Sequence, residues 1–142
     1  MHTSHLAGLI LLLLPVVGCG DDEPTDSTPP LADTYIATQF TVTRSGQATI
    51  DVLASGGSLV VTIAASGATS GSLTIPASLT GTGQPETISL IGTAVQSGST
   101  VTFQLADDSF VRDLEWTLDA VGLRVSNQVA GLASFTIVLT RQ

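Results

Sequence analysis

Residues 114–119 read LEWTLD, a short run in which apolar and polar side chains alternate at every position. Successive side chains of an extended strand point to opposite faces. The run would therefore place Leu114, Trp116 and Leu118 on one face and its three polar residues on the other. One apolar face and one polar face are typical of a half-buried strand in an antiparallel sheet.

The same alternation recurs along most of the chain beyond residue 30, most clearly in residues 58–63 and 100–105. No sustained helical stripe appears, so the pattern predicts about nine short strands. Further apolar positions that fit this spacing are Leu73, Ile75, Ile88, Leu90, Leu123, Val125, Phe135, Ile137 and Leu139.

The first strand is predicted at residues 34–43, where Ile36, Phe40 and Val42 would share the buried face. Glycine-containing turn signals, such as Ser97-Gly98, separate the strands at short intervals and favour antiparallel neighbours. A meander with one apolar face must cover that face by closing on itself or by folding into two layers. We therefore predict an all-β, antiparallel up-and-down barrel of about 8–9 strands, which also removes exposed edges.

The alternative is an immunoglobulin-like β-sandwich. Strand connectivity separates the two folds, because a sandwich of this kind uses Greek-key connections while an up-and-down barrel pairs each strand with its neighbours in sequence.

The amino terminus predicts an export signal. An apolar run follows a short polar start, but the run is too short for a membrane-spanning helix, which needs about 20 apolar residues. Val16-Val17-Gly18-Cys19 resembles the lipobox of bacterial lipoproteins, in which a peptidase cuts before the cysteine and the thiol carries a lipid. The resemblance implies that residues 1–18 are a lipoprotein signal peptide and that Cys19 is lipidated, with palmitate among its acyl chains.

Residues 19–30 contain four acidic residues, three prolines and no base, so they are predicted to form a disordered tether between Cys19 and the domain at residues 31–142. Two or three acyl chains give stable anchoring. Residue 20 is glycine rather than aspartate, and by resemblance to lipoprotein sorting signals this indicates the outer membrane, facing the periplasm.

Composition excludes several function classes. The chain has no lysine, both histidines lie in the predicted signal, and Cys19 is the single cysteine. These absences remove Ser-His-Asp and Cys-His catalysis, lysine Schiff bases and zinc sites built on histidine or cysteine. A net charge of −8 makes nucleic-acid binding unfavourable. We predict a non-enzymatic protein with no cofactor and no metal.

Carboxylate chemistry is the remaining possibility for catalysis or calcium binding. Asp107-Asp108 fits a turn better, since aspartate favours turns through local hydrogen bonds. Asp113 and Glu115 are predicted to lie two apart on the solvated face of one strand. A carboxylate-based hydrolase is therefore the least favoured hypothesis.

Several segments resemble small lipocalin-like bacterial proteins, among them LADTYIATQFTVTRSGQ (residues 31–47), GGSLVVTI (56–63) and the closing VLTR (138–141). The lipocalin Gly-x-Trp of the first strand corresponds here to Asp33-Thr34-Tyr35. The resemblance implies that a late arginine, Arg141, packs over Tyr35 and closes one end of the barrel.

The same resemblance implies a barrel interior that holds a small apolar ligand. The inward residues proposed to line it are Phe40, Leu59, Val61, Phe103, Leu114, Trp116 and Phe135. A structural or adhesion domain without a ligand is the alternative function.

Overall fold

The computed structural model describes residues 28–142, so the predictions made for residues 1–27, including Cys19, lie outside the described residues. Ten strands and one helical turn make up the domain. They are β1 (Asp33–Arg44), β2 (Ile50–Asp51), β3 (Ser58–Ile63), β4 (Ala68–Ile75), β5 (Glu86–Ser89), β6 (Gly92–Ser97), β7 (Thr100–Leu105), α1 (Phe110–Asp113), β8 (Trp116–Leu118), β9 (Gly122–Ala130) and β10 (Ala133–Arg141).

The sheet closes into an antiparallel up-and-down barrel. Eight strands follow one another around it in the order β1, β3, β4, β6, β7, β8, β9 and β10, and β10 pairs with β1 to complete the circuit. The two short strands lie outside this circuit: β2 pairs with the last part of β1, and β5 pairs with the last part of β4. The predicted barrel is confirmed, and the sandwich is excluded because no Greek-key crossover joins the described strands.

The pairing of β1 with β10 defines the two ends of the barrel. Tyr35 faces Arg141 at one end, which we call the lower end, and Arg44 faces Ala133 at the upper end. Residues 29–31 run along the lower end, so the chain enters the barrel there. Residues 28–142 contain every strand of the closed circuit and the apolar core that these strands bury, so we expect this segment to fold on its own.

A bulge in β1 corrects the prediction for Ile36. The pairing with β10 steps from Ala37↔Leu139 to Gln39↔Val138, so Thr38 is an extra residue on β1. An extra residue reverses which side chains face inward beyond it. Phe40 is buried as predicted, but Ile36 is 37% exposed and Tyr35 is buried in its place.

The barrel interior is filled mainly by apolar side chains from alternate strand positions. Trp116 and Phe103 pack edge to face, with ring centroids 5.8 Å apart and planes at 81°, a favourable geometry for two aromatic rings. The fully buried members of this core include Tyr35, Leu59, Leu73, Leu90, Leu114, Trp116, Leu123, Ile137 and Leu139.

Gly71 lies where β4 changes partner, from β6 at its start to β5 at its end. Its φ of +139° is open to glycine only. A Cβ at this position would stand 2.1 Å from the carbonyl oxygen of Val60 on β3. The close approach of the two backbones therefore also requires glycine.

The helical turn α1 corrects the prediction for Asp113 and Glu115. Asp113 ends α1 and Glu115 precedes β8, so the two carboxylates do not lie on one strand. A single helical turn is too short to show a 3.6-residue period, so periodicity does not predict it. The alternation from Leu114 to Leu118 is confirmed, since all three apolar residues are buried.

Candidate functional site

An apolar cavity of about 140 Å³ lies at the upper end of the barrel, between the inward face of β1 and the elements above it. Among the predicted ligand-lining residues, the structure brings Phe40 and Phe135 to its wall. The other five pack in the core and do not line it: Leu59, Val61, Phe103, Leu114 and Trp116. The wall consists of Phe40, Val42, Arg44, Val52, Ile75, Leu79, Phe110, Ala133 and Phe135.

Three phenylalanines form one side of the cavity. The ring of Phe110 stacks on Phe135 at 4.3 Å with planes at 14°, and it lies 5.8 Å from Phe40 at 54°. Phe110 reaches this position because α1 crosses the upper end between β7 and β8. The indole N–H of Trp116 donates to the carbonyl of Val111 (3.2 Å), which holds α1 against the core.

Arg44 lies at the mouth of the cavity because it follows Phe40 and Val42 at the inward spacing of β1. Its guanidinium donates to the carbonyl of Leu79 (2.7 Å) in the loop after β4. No carboxylate of the described segment lies within ion-pair distance of Arg44, whereas Arg112, Arg124 and Arg141 each have at least one.

A second, shallower depression of about 440 Å³ lies outside the barrel wall, between the β1–β2 loop and the β9–β10 turn. It shares Arg44 and Ala133 with the cavity. Two of its apolar residues are strongly exposed, Val129 at 72% and Leu132 at 90%.

The lower end brings Tyr35 and Arg141 together. The guanidinium carbon of Arg141 lies 5.6 Å from the centroid of the Tyr35 ring. Arg141 also donates to the carbonyl of Pro30 (2.6 Å) and lies 3.8 Å from a carboxylate oxygen of Asp33. Burial raises the pKa of the Tyr35 phenol, and the charge of Arg141 opposes this rise.

The carboxylates considered for catalysis or calcium lie at the surface around α1. Arg112 pairs with Asp108, four residues earlier, and lies 3.7 Å from Asp113. Within residues 28–142 no three acidic, histidine or cysteine side chains group closely enough to hold a metal ion. The same segment has no helix of the length and apolar character that crossing a membrane requires.

Most of the cavity wall was missed from the sequence. The spacing Phe40-x-Val42-x-Arg44 already placed the arginine on the inward face, and this signal could have been used. Phe110 had no such signal, because it lies between predicted strands. Val52 lies at the wall because its backbone N–H donates to the carbonyl of Phe40 (2.8 Å). The alternation of apolar and polar residues does not predict this contact.

No protein-family model, no curated protein and no solved structure matches this chain.

Proposed function

We propose that this protein is a non-enzymatic lipoprotein of the bacterial cell envelope whose barrel binds a small apolar molecule in the upper cavity. The observation that carries the proposal is the cavity itself: aromatic and aliphatic side chains line it at one end of a barrel whose core is packed with buried apolar residues. Sites for small molecules are concave and mostly apolar, with a few polar groups that set orientation.

The size of the cavity limits the ligand. Sites for drug-sized ligands start at about 300 Å³, and a cavity of about 150 Å³ lined by apolar side chains accepts benzene. The cavity here, at about 140 Å³, therefore suits a ligand whose apolar part is close to a benzene ring in size.

The wall chemistry supports binding rather than catalysis. Arg44 is the single ionisable side chain among the described wall residues. An arginine stays protonated at physiological pH and does not exchange protons as a general acid or base. No hydroxyl or thiol lines the cavity to act as a nucleophile.

The position of the chain entry supports anchoring from the lower end. Tyr35 donates from its hydroxyl to the carbonyl of Leu31 (2.7 Å), and Arg141 holds Pro30, so the segment that leads back to Cys19 leaves at that end. A lipid on Cys19, in the outer membrane facing the periplasm, would then hold the barrel by the end opposite the cavity mouth.

Ligand binding is tested by native mass spectrometry of residues 28–142 after incubation with an envelope lipid extract. We expect one adduct of reproducible mass. Ala133→Leu is the comparison variant, because Ala133 lines the cavity and a larger side chain there takes up part of its space; this variant should carry no adduct. A bare wild-type protein across several extracts would contradict ligand binding.

Anchoring is tested with the full chain, expressed in a bacterium with an outer membrane and fed alkyne-labelled palmitate. We expect label in the protein and in the outer-membrane fraction, and loss of both in Cys19→Ala. Because Cys19 is the single cysteine, label that persists in this variant would rule out lipidation at that thiol.

A contact domain without a ligand is the second candidate, and the exposed Leu132 and Val129 favour it. Apolar patches on a soluble surface often mark contact sites. If no extract gives an adduct, the Leu132→Ser variant tests this candidate by its effect on self-association in sedimentation velocity.

A further inference from the structure

We infer that the ligand is a small monocarboxylate, with its apolar body in the upper cavity and its carboxylate paired with Arg44 at the mouth. The inference rests on the proposed function, because it names the ligand class of that same cavity.

Strand β1 places the guanidinium of Arg44 at the mouth of the cavity, where the carboxylate of a bound ligand would lie. Phe40, Val42 and Arg44 share the inward face, so the wall changes from apolar to cationic along one strand toward the upper end. The hydrogen bond to Leu79 uses one of the five N–H donors of the guanidinium and fixes its position across the mouth. The remaining donors can bind a carboxylate through two parallel hydrogen bonds.

The charge distribution leaves Arg44 available for an external anion. Acidic residues outnumber basic ones twelve to four in the chain, and the other three arginines each have a carboxylate partner. Residues 29–31, through which the acidic segment joins the barrel, are held at the opposite end by Arg141 and Tyr35.

The single cation in the described cavity wall limits the charge of the ligand. The described wall has no cation besides Arg44, so it can balance one negative charge on a ligand but not a second. A phosphate monoester carries close to two negative charges at neutral pH, which disfavours it in a chain with a net charge of −8. A neutral ligand would leave the positive charge of Arg44 without a counter-charge.

The test uses benzoate and benzyl alcohol, which share a seven-carbon skeleton and differ in charge. Each is titrated into residues 28–142 at low salt and followed by NMR chemical shifts. We expect benzoate to bind about fivefold more tightly than the alcohol, as a partly exposed ion pair allows. Salt at about 0.5 M should reduce this preference, because the mouth is open to solvent.

Two substitutions of Arg44 test the assignment. Arg44→Gln keeps a donor for Leu79 but loses the charge, so benzoate should weaken to the level of the alcohol while the alcohol is unchanged. Arg44→Lys should retain part of the preference. Ala133→Leu should weaken the binding of both probes, because it takes up part of the cavity. Shifted resonances of Phe40, Val52 and Phe110, which line the cavity and not the outer depression, locate the probes there.

The outcomes separate the two proposals. Equal binding of both probes to the wild type, or benzoate binding that is unchanged in Arg44→Gln, would overturn the carboxylate inference and leave the cavity as the site. Failure of both probes, together with no adduct from any envelope extract, would overturn the ligand-binding function as well.

Discussion

Arg141 and Tyr35 face each other across the closing strand pair β10–β1, with the guanidinium carbon 5.6 Å from the ring centroid. The arginine side chain is only 19% exposed, and it also reaches Pro30 and Asp33. One residue near the end of the barrel therefore covers a buried aromatic ring and holds the segment through which the chain enters. The lower end is closed by this contact, and the cavity lies at the other end.

We expect Arg141→Met to lower the free energy of unfolding by about 2 kcal/mol, because it removes a cation–π contact, a hydrogen bond to the carbonyl of Pro30 and an ion pair with Asp33 at a mostly buried site. Arg124→Met is the matched control: Arg124 is 48% exposed and makes one ion pair with Asp119, so its loss should cost about 0.5 kcal/mol. Urea unfolding of residues 28–142, followed by the fluorescence of the single tryptophan, Trp116, measures both. Equal losses would show that closure of the lower end contributes nothing specific.

The fold was predictable because a half-buried strand alternates apolar and polar residues, and this alternation shows which face is buried. Residues 100–105 alternate at every position and residues 58–63 at all but Val60, and both form strands with those bounds. Ile36 could not be placed from the same rule, because the extra residue in β1 is a backbone feature that reverses the phase without changing the composition.

The cavity was less predictable than the fold. Its wall joins Arg44 on β1 to Leu79 and Phe110, which lie 35 and 66 positions further along the chain and outside regular strands. Such contacts follow from closure of the barrel and from the path of its loops, and neither leaves a period in the sequence. All seven proposed ligand-lining residues are buried, but five of them pack in the core and only Phe40 and Phe135 reach the cavity wall.

Gly71→Ala should prevent stable folding or cost more than about 3 kcal/mol, since it combines a φ of +139° with a Cβ placed against the backbone of Val60. Gly98→Ala is the matched control, because Gly98 also has a positive φ, of 60°, but open space around its Cβ position. That variant should lose about 1 kcal/mol. Thermal unfolding of the two variants separates the steric clash from the cost of a positive φ, and similar melting temperatures would refute the clash.

Asp119 should make the barrel more stable at neutral pH than in acid. The N–H groups of Gly122 and Val121, together with Arg124, hold the pKa of this carboxyl below its ordinary value. A carboxyl whose pKa is lower in the folded state contributes stability above its unfolded pKa, near 3.9, and loses it as the pH falls through the folded pKa.

The Asp119→Asn variant should therefore be less stable than the wild type at pH 7, by about 0.5–1 kcal/mol for a partly exposed group, and the gap should close as the pH falls below about 4. Glu115→Gln is the control, because the Glu115 carboxylate accepts no hydrogen bond within the described residues. Urea unfolding at several pH values measures the gap. A gap of constant size from pH 7 to pH 2 would contradict the role of the charge.

Phe110→Ala should enlarge the cavity, since it removes the ring that stacks on Phe135 at 4.3 Å. We expect a loss of about 2 kcal/mol in stability, less than for a fully buried phenylalanine, because Phe110 is half-buried. Although the variant loses stability, its affinity for larger ligands should rise. We expect 1-naphthoate to gain affinity relative to benzoate in the NMR titration. Phe103→Leu is the control, because it loosens the core away from the cavity wall and should leave this ratio unchanged. If both variants give the wild-type ratio, the upper cavity does not select the ligand by size.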